Sequence, residues 1–383
     1  MRGTFALLGV LGLLVAACGS PTGQPALPGF APASAGPVSA PAPPPSTAPA
    51  TPAAPTCASI AAALPMRARL AQLLMVGVDP TGPADAIGTV SSEQVGGIFI
   101  GGTATGLLTG DALGAVRAQA GLPVAVAVDD EGGRVQRIDE LDGHLPSAAT
   151  MAATMTPEQV REQAFERGLA LRARGVTIDL APSVDVGSTS PAIGDRSFGA
   201  DAATVTRYAG AFAAGLRDAG VLPVLKHFPG HGRADGDSHQ GLVTTPPLAE
   251  LQGSDLLPYH ELLGDGPAAV MLGHLDVPGL TGGEPATLDP SAYRLLREEF
   301  GFTGLVITDD LGAMRAVSDA YQLPEAVLRA LLAGADVALS TSVGGTGAVL
   351  DRLERAVAGG ELPESRVTDS AARVLAAKRV CHG

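Results

Sequence analysis

Residues 304–310 read Gly-Leu-Val-Ile-Thr-Asp-Asp, a short apolar run that stops at two carboxylates. A run this short, bounded by a glycine and by charge, reads as a buried strand. The pattern recurs along the chain. Leu73–Val78, Gly97–Ile100, Pro123–Val128, Val176–Ala181, Val221–Leu225, Ala268–Leu272 and Asp336–Ser340 are further short apolar runs. Amphipathic stretches such as Pro157–Arg174, Ala202–Ala219 and Ser291–Phe300 lie between them, and a last helix is expected over Asp369–Arg379, capped by Thr368 or Asp369. Eight buried strands alternating with helices predict an α/β fold, a single (β/α)8 TIM-type barrel. An open doubly wound sheet is the competitor, because strand count alone does not demonstrate closure.

The strand ends decide between them. The third strand runs into Asp129-Asp130-Glu131, the fourth toward Asp185 and the fifth into Lys226-His227. The sixth ends at His274 and the seventh at Asp309-Asp310. A closed barrel gathers all of these at the C-terminal face, where barrel enzymes keep their chemistry.

Composition excludes several partners. With 25 Lys+Arg against 39 Asp+Glu the formal charge is −14, so a nucleic-acid or anionic-membrane surface is not expected. There are 9 Phe, 4 Tyr and no Trp, which argues against a long carbohydrate cleft of stacking indoles. Only two of the basic residues are Lys, in a composition rich in Ala, Gly and Pro.

The N-terminus carries an address. Arg2 precedes an apolar run over residues 5–17, too short for a permanent span but shaped like a secretory signal. It ends Val15-Ala16-Ala17-Cys18-Gly19, which resembles a bacterial lipobox, so residues 1–17 are expected to be cleaved and Cys18 lipidated. Residues 19–56 contain twelve prolines and no charge, the composition of an extended tether. The expected organisation is therefore signal 1–17, anchored linker 18–56 and barrel 57–383. That places the domain on the outer face of the cell membrane, touching it only through the lipid.

The densest polar segment is Lys226-His227-Phe228-Pro229-Gly230-His231-Gly232-Arg233-Ala234-Asp235-Gly236-Asp237-Ser238-His239. It holds three of the seven histidines, and its glycines permit a mobile loop over a pocket. His227, His231, Asp237 and His239 are possible metal ligands, but their spacing matches no tight zinc pattern, and no metal is expected.

This segment resembles glycoside hydrolase family 3, specifically its β-N-acetylglucosaminidase branch. The supporting strings are KHFPGHG with GDSH, and VDDEGGRVQR (128–137), IDLAPSVDV (178–186), IGDRSF (193–198) and VITDDLGAM (306–314). They occur in order from about residue 60 onward. With the lipobox and spacer, the whole resembles a secreted lipoprotein form of that family. The resemblance implies that Asp309 is the nucleophile and that His239, oriented by Asp237, is the acid/base. It implies that Asp129, Arg137, Arg196, Lys226 and His227 hold the sugar. Only 74 residues follow Asp309, so the C-terminal sandwich domain of larger members is not expected.

The implied activity is retaining, exo-acting release of terminal β-linked N-acetylglucosamine from peptidoglycan-derived fragments by a monomer without cofactor. Such chemistry needs a carboxylate on one face of the sugar and a proton donor on the other. Two alternatives stay open. A neutral His repels phosphate less than a carboxylate would, which permits phosphorolysis. Anchored sugar-binding lipoproteins share the same signal and spacer. Asp310 reads equally well as a turn cap, His274 as a hydrogen-bonded wall, and Gly344-Gly345-Thr346-Gly347 as a turn, while Glu131 is a rival acid that Gly132-Gly133 place in a tight turn contacting substrate or loop backbone. Finally, Cys57 and Cys381 flank the barrel, whose first and last elements are neighbours. Outside the cytoplasm they are expected to form a disulfide, with two free thiols as the alternative.

Overall fold

The structure is a computed structural model that describes residues 55–381 together with Gly36. Cys18, the signal and almost all of the linker lie outside the described residues.

Eight parallel strands form one sheet: β1 (Leu74–Val78), β2 (Gly97–Ile100), β3 (Ala125–Val128), β4 (Ile178–Asp179), β5 (Leu222–Phe228), β6 (Ala269–Leu272), β7 (Val306–Thr308) and β8 (Ala338–Val343). Neighbours follow chain order, and β8 returns to pair with β1. Between β7 and β8 the gap is closed by an Ile307–Val337 bridge and by a bond from the Thr308 N–H to the Val337 carbonyl, 3.0 Å. Thr308 Oγ1 also accepts from the Leu339 N–H at 3.0 Å. The barrel is closed.

Alternation along the strands makes two cores. Met75, Phe99, Ala127, Val224, Met271, Ile307 and Leu339 point inward and fill the barrel. Their neighbours Leu74, Ile98, Val126, Leu225, Val270 and Val306 point outward beneath the helices. This is the period-two division of a strand buried on both faces. The helices start where local chemistry permits. Pro157–Ala173 opens on a Thr156/Gln159 capping box with Pro at its first turn, and Ala202–Asp218 on Asp201, which accepts from the Thr204 N–H at 2.9 Å. These two helices pack so closely that a Cβ on Gly215 would lie 2.3 Å from the Arg161 carbonyl oxygen. Only glycine fits there.

Three sequence-based boundaries move. β5 continues through Phe228, so Lys226 and His227 are strand residues, lying where the register shifts between the Leu225–Val270 and Phe228–Leu272 pairs. The stretch 291–300 divides into an α-helix, Pro290–Arg294, and a π-helical turn, Leu295–Glu299. The last helix spans Glu364–Ala377 and starts after Pro363, because Thr368 is committed inside it. Its hydroxyl donates to the Glu364 carbonyl and accepts from Arg69. That helix packs against Cys57–Ala63, and Cys57 and Cys381 are disulfide-bonded with Cα atoms 5.3 Å apart.

Candidate active site

The C-terminal ends of the strands surround a cavity of about 480 Å³. Asp129, Arg137, Arg196, Lys226, His227, His239 and Asp309 all line it, and Asp237 stands behind His239.

Its floor is an ion-pair network built by β3 and β5. Lys226, 2% exposed, reaches Asp129 Oδ1 at 2.9 Å and Glu131 Oε1 at 2.6 Å. Arg196 grips Glu131 with two parallel bonds of 2.7 Å, and Arg137 lies 3.5 Å from Asp129. Burial would raise the Glu131 carboxyl, but Arg196 and Lys226 outweigh it and hold it well below the usual range. Burial likewise opposes the Lys226 charge, which Asp129 and Glu131 restore. Arg137 Nε is buried without an acceptor, a donor left over in the lining. One loop below, Asp130 is fully buried and paired to Arg167 at 2.6 Å while accepting from the Arg137 and Ile138 N–H groups. That pins the segment carrying Asp129, Glu131 and Arg137.

A second network runs from Asp185. Its carboxylate accepts from Ser183, from the His231 N–H at 2.7 Å and from the His227 N–H at 3.2 Å, and it contacts His227 Nδ1 at 2.8 Å. His227 and the hydrogen bonds hold the Asp185 carboxyl low against its burial. With Nδ1 engaged, His227 has Nε2 for the cavity that its ring lines. His231 is buried between Ser190 Oγ, 3.1 Å from Nδ1, and Ser238 Oγ, 3.0 Å from Nε2. Because Ser190 donates to the Gly236 carbonyl, His231 Nδ1 donates to Ser190 and Nε2 accepts from Ser238. Burial and His227 both disfavour a charge on this ring.

Ser238 sits between Asp237 and His239. Asp237 Oδ1 accepts from the His239 N–H at 3.0 Å and from Nδ1 at 2.7 Å, so the i, i+2 turn presents Nε2 outward. The His239 side chain is 61% exposed. The loop docks on the segment following Asp310 through bonds from the Arg315 and Ala316 N–H groups to the His239 and Ser238 carbonyls. A short parallel pair, Val243–Thr244 with Leu275–Asp276, anchors its far end.

Asp309 is half-buried at the end of β7. Burial would raise its carboxyl, but His227, then His274, the Asp310 N–H and Lys226 bring it down to about 2. Adjacent Asp310 also borders the cavity but is committed to four bonds: from the Gly312 and Ala313 N–H groups, and from the Thr341 N–H and hydroxyl. It is a cap that also ties β7 to β8. His274 is a buried wall, contacting Thr287 Oγ1 at 2.6 Å and the Asp310 carbonyl at 2.8 Å. Gly344 and Gly345 make a left-handed turn into the helix Thr346–Ala358. Among the described residues no group of three or more His, Cys, Asp or Glu is arranged to hold a metal ion.

Residues 65–377 match the glycosyl hydrolase family 3 N-terminal domain. The chain belongs to glycoside hydrolase family 3. It is 51% identical over 387 residues to "Beta-hexosaminidase LpqI" of Mycobacterium tuberculosis, covering 98% of this chain and 97% of that one. The solved structure of M. tuberculosis LpqI superposes with a TM-score of 0.81 at 53% identity, over 85% of this chain and 97% of that one. A family 3 β-N-acetylglucosaminidase from Paenibacillus gives 0.78 at 33% identity, over 83% of this chain and 62% of that longer one.

Within this family 3 barrel, sequence reasoning undervalued four residues. Glu131 reads as a turn residue, yet it neutralises Lys226 and Arg196. Asp185 stood out only as a charge near a strand end, while its partner His227 is 42 positions away. His231 and Ser238 form the latch beneath the loop, and only their proximity to Asp237 and His239 hinted at it.

Proposed function

We propose that this chain is a retaining exo-β-N-acetylglucosaminidase acting on cell-wall fragments. The observation that carries the reading is one cavity lined by both Asp309, held ionised, and His239, oriented by Asp237. The relatives bearing β-hexosaminidase and β-N-acetylglucosaminidase names support the substrate class.

Asp309 attacks the anomeric carbon as a carboxylate while His239 Nε2 protonates the departing oxygen, giving a covalent glycosyl-aspartate. His239 then takes a proton from water, which displaces Asp309 and restores both groups. Asp237 holds the proton on Nδ1 and stabilises the imidazolium that donates in the first step and is re-formed in the second. Lys226, Arg137, Arg196, Asp129 and His227 bind the sugar, with the free Arg137 Nε as a donor to it. A pit at the mouth of a barrel takes the end of a chain, which fits exo action.

We place this enzyme outside the cell as a monomer, anchored through Cys18 by the linker 18–56. The test is incubation with an aryl β-N-acetylglucosaminide, with and without phosphate. Free N-acetylglucosamine in both is expected. Sugar 1-phosphate would replace the reading with phosphorolysis, for which a His acid/base leaves electrostatic room. No turnover would make the chain a binding protein.

A further inference from the structure

At the opposite mouth of the barrel, where the strands begin, two adjoining cavities of about 510 and 580 Å³ form one trough. They share Pro123, Val124, Arg172 and Thr177. Among the described residues their lining holds Arg117, Arg172, Arg217, Lys378 and Arg379 and no Asp or Glu. In a chain of net charge −14 this needs a cause. Fifteen of the described arginines lie within 4.0 Å of a carboxylate. Of the seven that do not, four line this trough.

The cations are placed by a repeated device. Arg117 and Arg172, each near the C-terminal end of its helix, hydrogen-bond the carbonyls of Gly175 and Gly220 in the loops before β4 and β5. Each uses one arm and keeps further donors. Arg217 stands in the equivalent place beside Gly266, and neither it nor Arg379 makes a side-chain hydrogen bond among the described residues. Lys378 bonds only the neutral Gln72 Oε1 at 2.8 Å, and burial pushes it down to about 7. Burial, then Arg172, also lowers Arg117. Asp111 acts on Arg117, and Asp265 and Asp218 on Arg217, but among the described residues no carboxylate lines the trough itself, and an anion there relieves the remaining like charge. The floor is apolar: Val124, Ile178, Leu222 and Ala377 lie between the charges.

We propose that this trough binds a phosphate ester, its phosphate held by the forks of Arg172, Arg217 and Arg379 and its uncharged stem lying on the apolar floor. Guanidinium groups suit the tetrahedral oxyanion, and among the described residues no carboxylate lines the trough, although Asp265 and Asp218 act on Arg217 from beside it. The ester can be a soluble phosphoester or a lipid headgroup, and the chemistry of recognition is the same.

Calorimetric titration of the full chain with sn-glycerol 3-phosphate at low salt reads the first source, with glycerol as the neutral control. Sedimentation of a full-length Cys18→Ser chain with phosphatidylglycerol/phosphatidylcholine vesicles, against phosphatidylcholine alone, reads the second. Saturable, salt-sensitive binding in either arm is expected. It should weaken at least tenfold in Arg217→Gln/Arg379→Gln and persist in Arg207→Gln/Arg355→Gln, which removes two unpaired arginines elsewhere. Turnover of the aryl glucosaminide should be unchanged in both variants. Absence of binding in both arms, equal loss in the two variants, or full retention in the first would overturn the site.

Discussion

Ser238 donates to His231 Nε2 at 3.0 Å, linking the exposed loop of the candidate dyad to a buried ring. The latch reaches further, because His231 N–H bonds the same Asp185 carboxylate that orients His227. The proposed acid/base loop and the proposed sugar-binding histidine thus share one buried anchor. Ser238→Ala should leave the fold intact and lower kcat about tenfold, the worth of one hydrogen bond of roughly 1–1.5 kcal/mol. The loss should be steeper for poor leaving groups than for activated ones, since only the former need full protonation. A uniform loss across a leaving-group series would assign the latch a purely structural role.

Asp309→Asn should still fold near neutral pH, losing no more stability than one favourably placed carboxylate supplies, and should lose roughly 10³-fold or more in turnover, the scale seen when a nucleophile is removed. A fluorinated slow substrate should label Asp309 in the parent protein, read by peptide mass. Labelling of Asp310, which is committed to four hydrogen bonds, would overturn the assignment.

Acid should expose the same carboxylate thermodynamically. Asp309 is lowered from 3.8 to about 2 on folding, so its contribution is complete above about pH 4 and is lost as pH falls through 2. At about 1.4 kcal/mol per unit this amounts to roughly 2 kcal/mol. Urea unfolding at pH 5 and pH 2 should show the parent losing about that much more stability than Asp309→Asn. Glu131 and Asp185 are also held low and titrate in both proteins, so the difference isolates Asp309.

Glu131→Gln keeps the shape but leaves the largely buried Arg196 without its ion-pair partner and the buried Lys226 with Asp129 alone. Breaking a buried pair in this way costs about 3–5 kcal/mol. Urea unfolding should register that loss, and KM for the aryl glucosaminide should rise more than kcat falls if the displaced groups bind sugar as proposed.

The barrel was legible because most strands carry a short apolar run and five of them lead into ionisable residues. Boundaries were less so. β5 extends over Lys226 and His227 because its neighbour pairs with Phe228, a tertiary fact with no local signal. The same limit applied to the site. Strand ends told which residues gather at the mouth, but not which faces which: Glu131 and Arg196 are 65 positions apart. Gly132 and Gly133 do turn the chain, in a bridge from Gly132 to Val135, and that local reading concealed the carboxylate tucked beneath.

The disulfide offers the last test. Cys57 and Cys381 are separated by 324 positions and joined where the first and last described helices meet. A crosslink closing so long a loop removes much denatured-state freedom, and chain entropy sets its contribution at roughly 5 kcal/mol at most. The barrel itself is closed by β8 pairing with β1, independently of the bridge. Cys57→Ser/Cys381→Ser should therefore fold and turn over the aryl glucosaminide at the parental rate, with a midpoint in urea shifted down and m raised, because the denatured chain without the crosslink is more expanded. The oxidised parent should titrate no thiol from either position under denaturing conditions. Two reactive thiols there, or an unshifted midpoint, would remove the bridge from the account of stability.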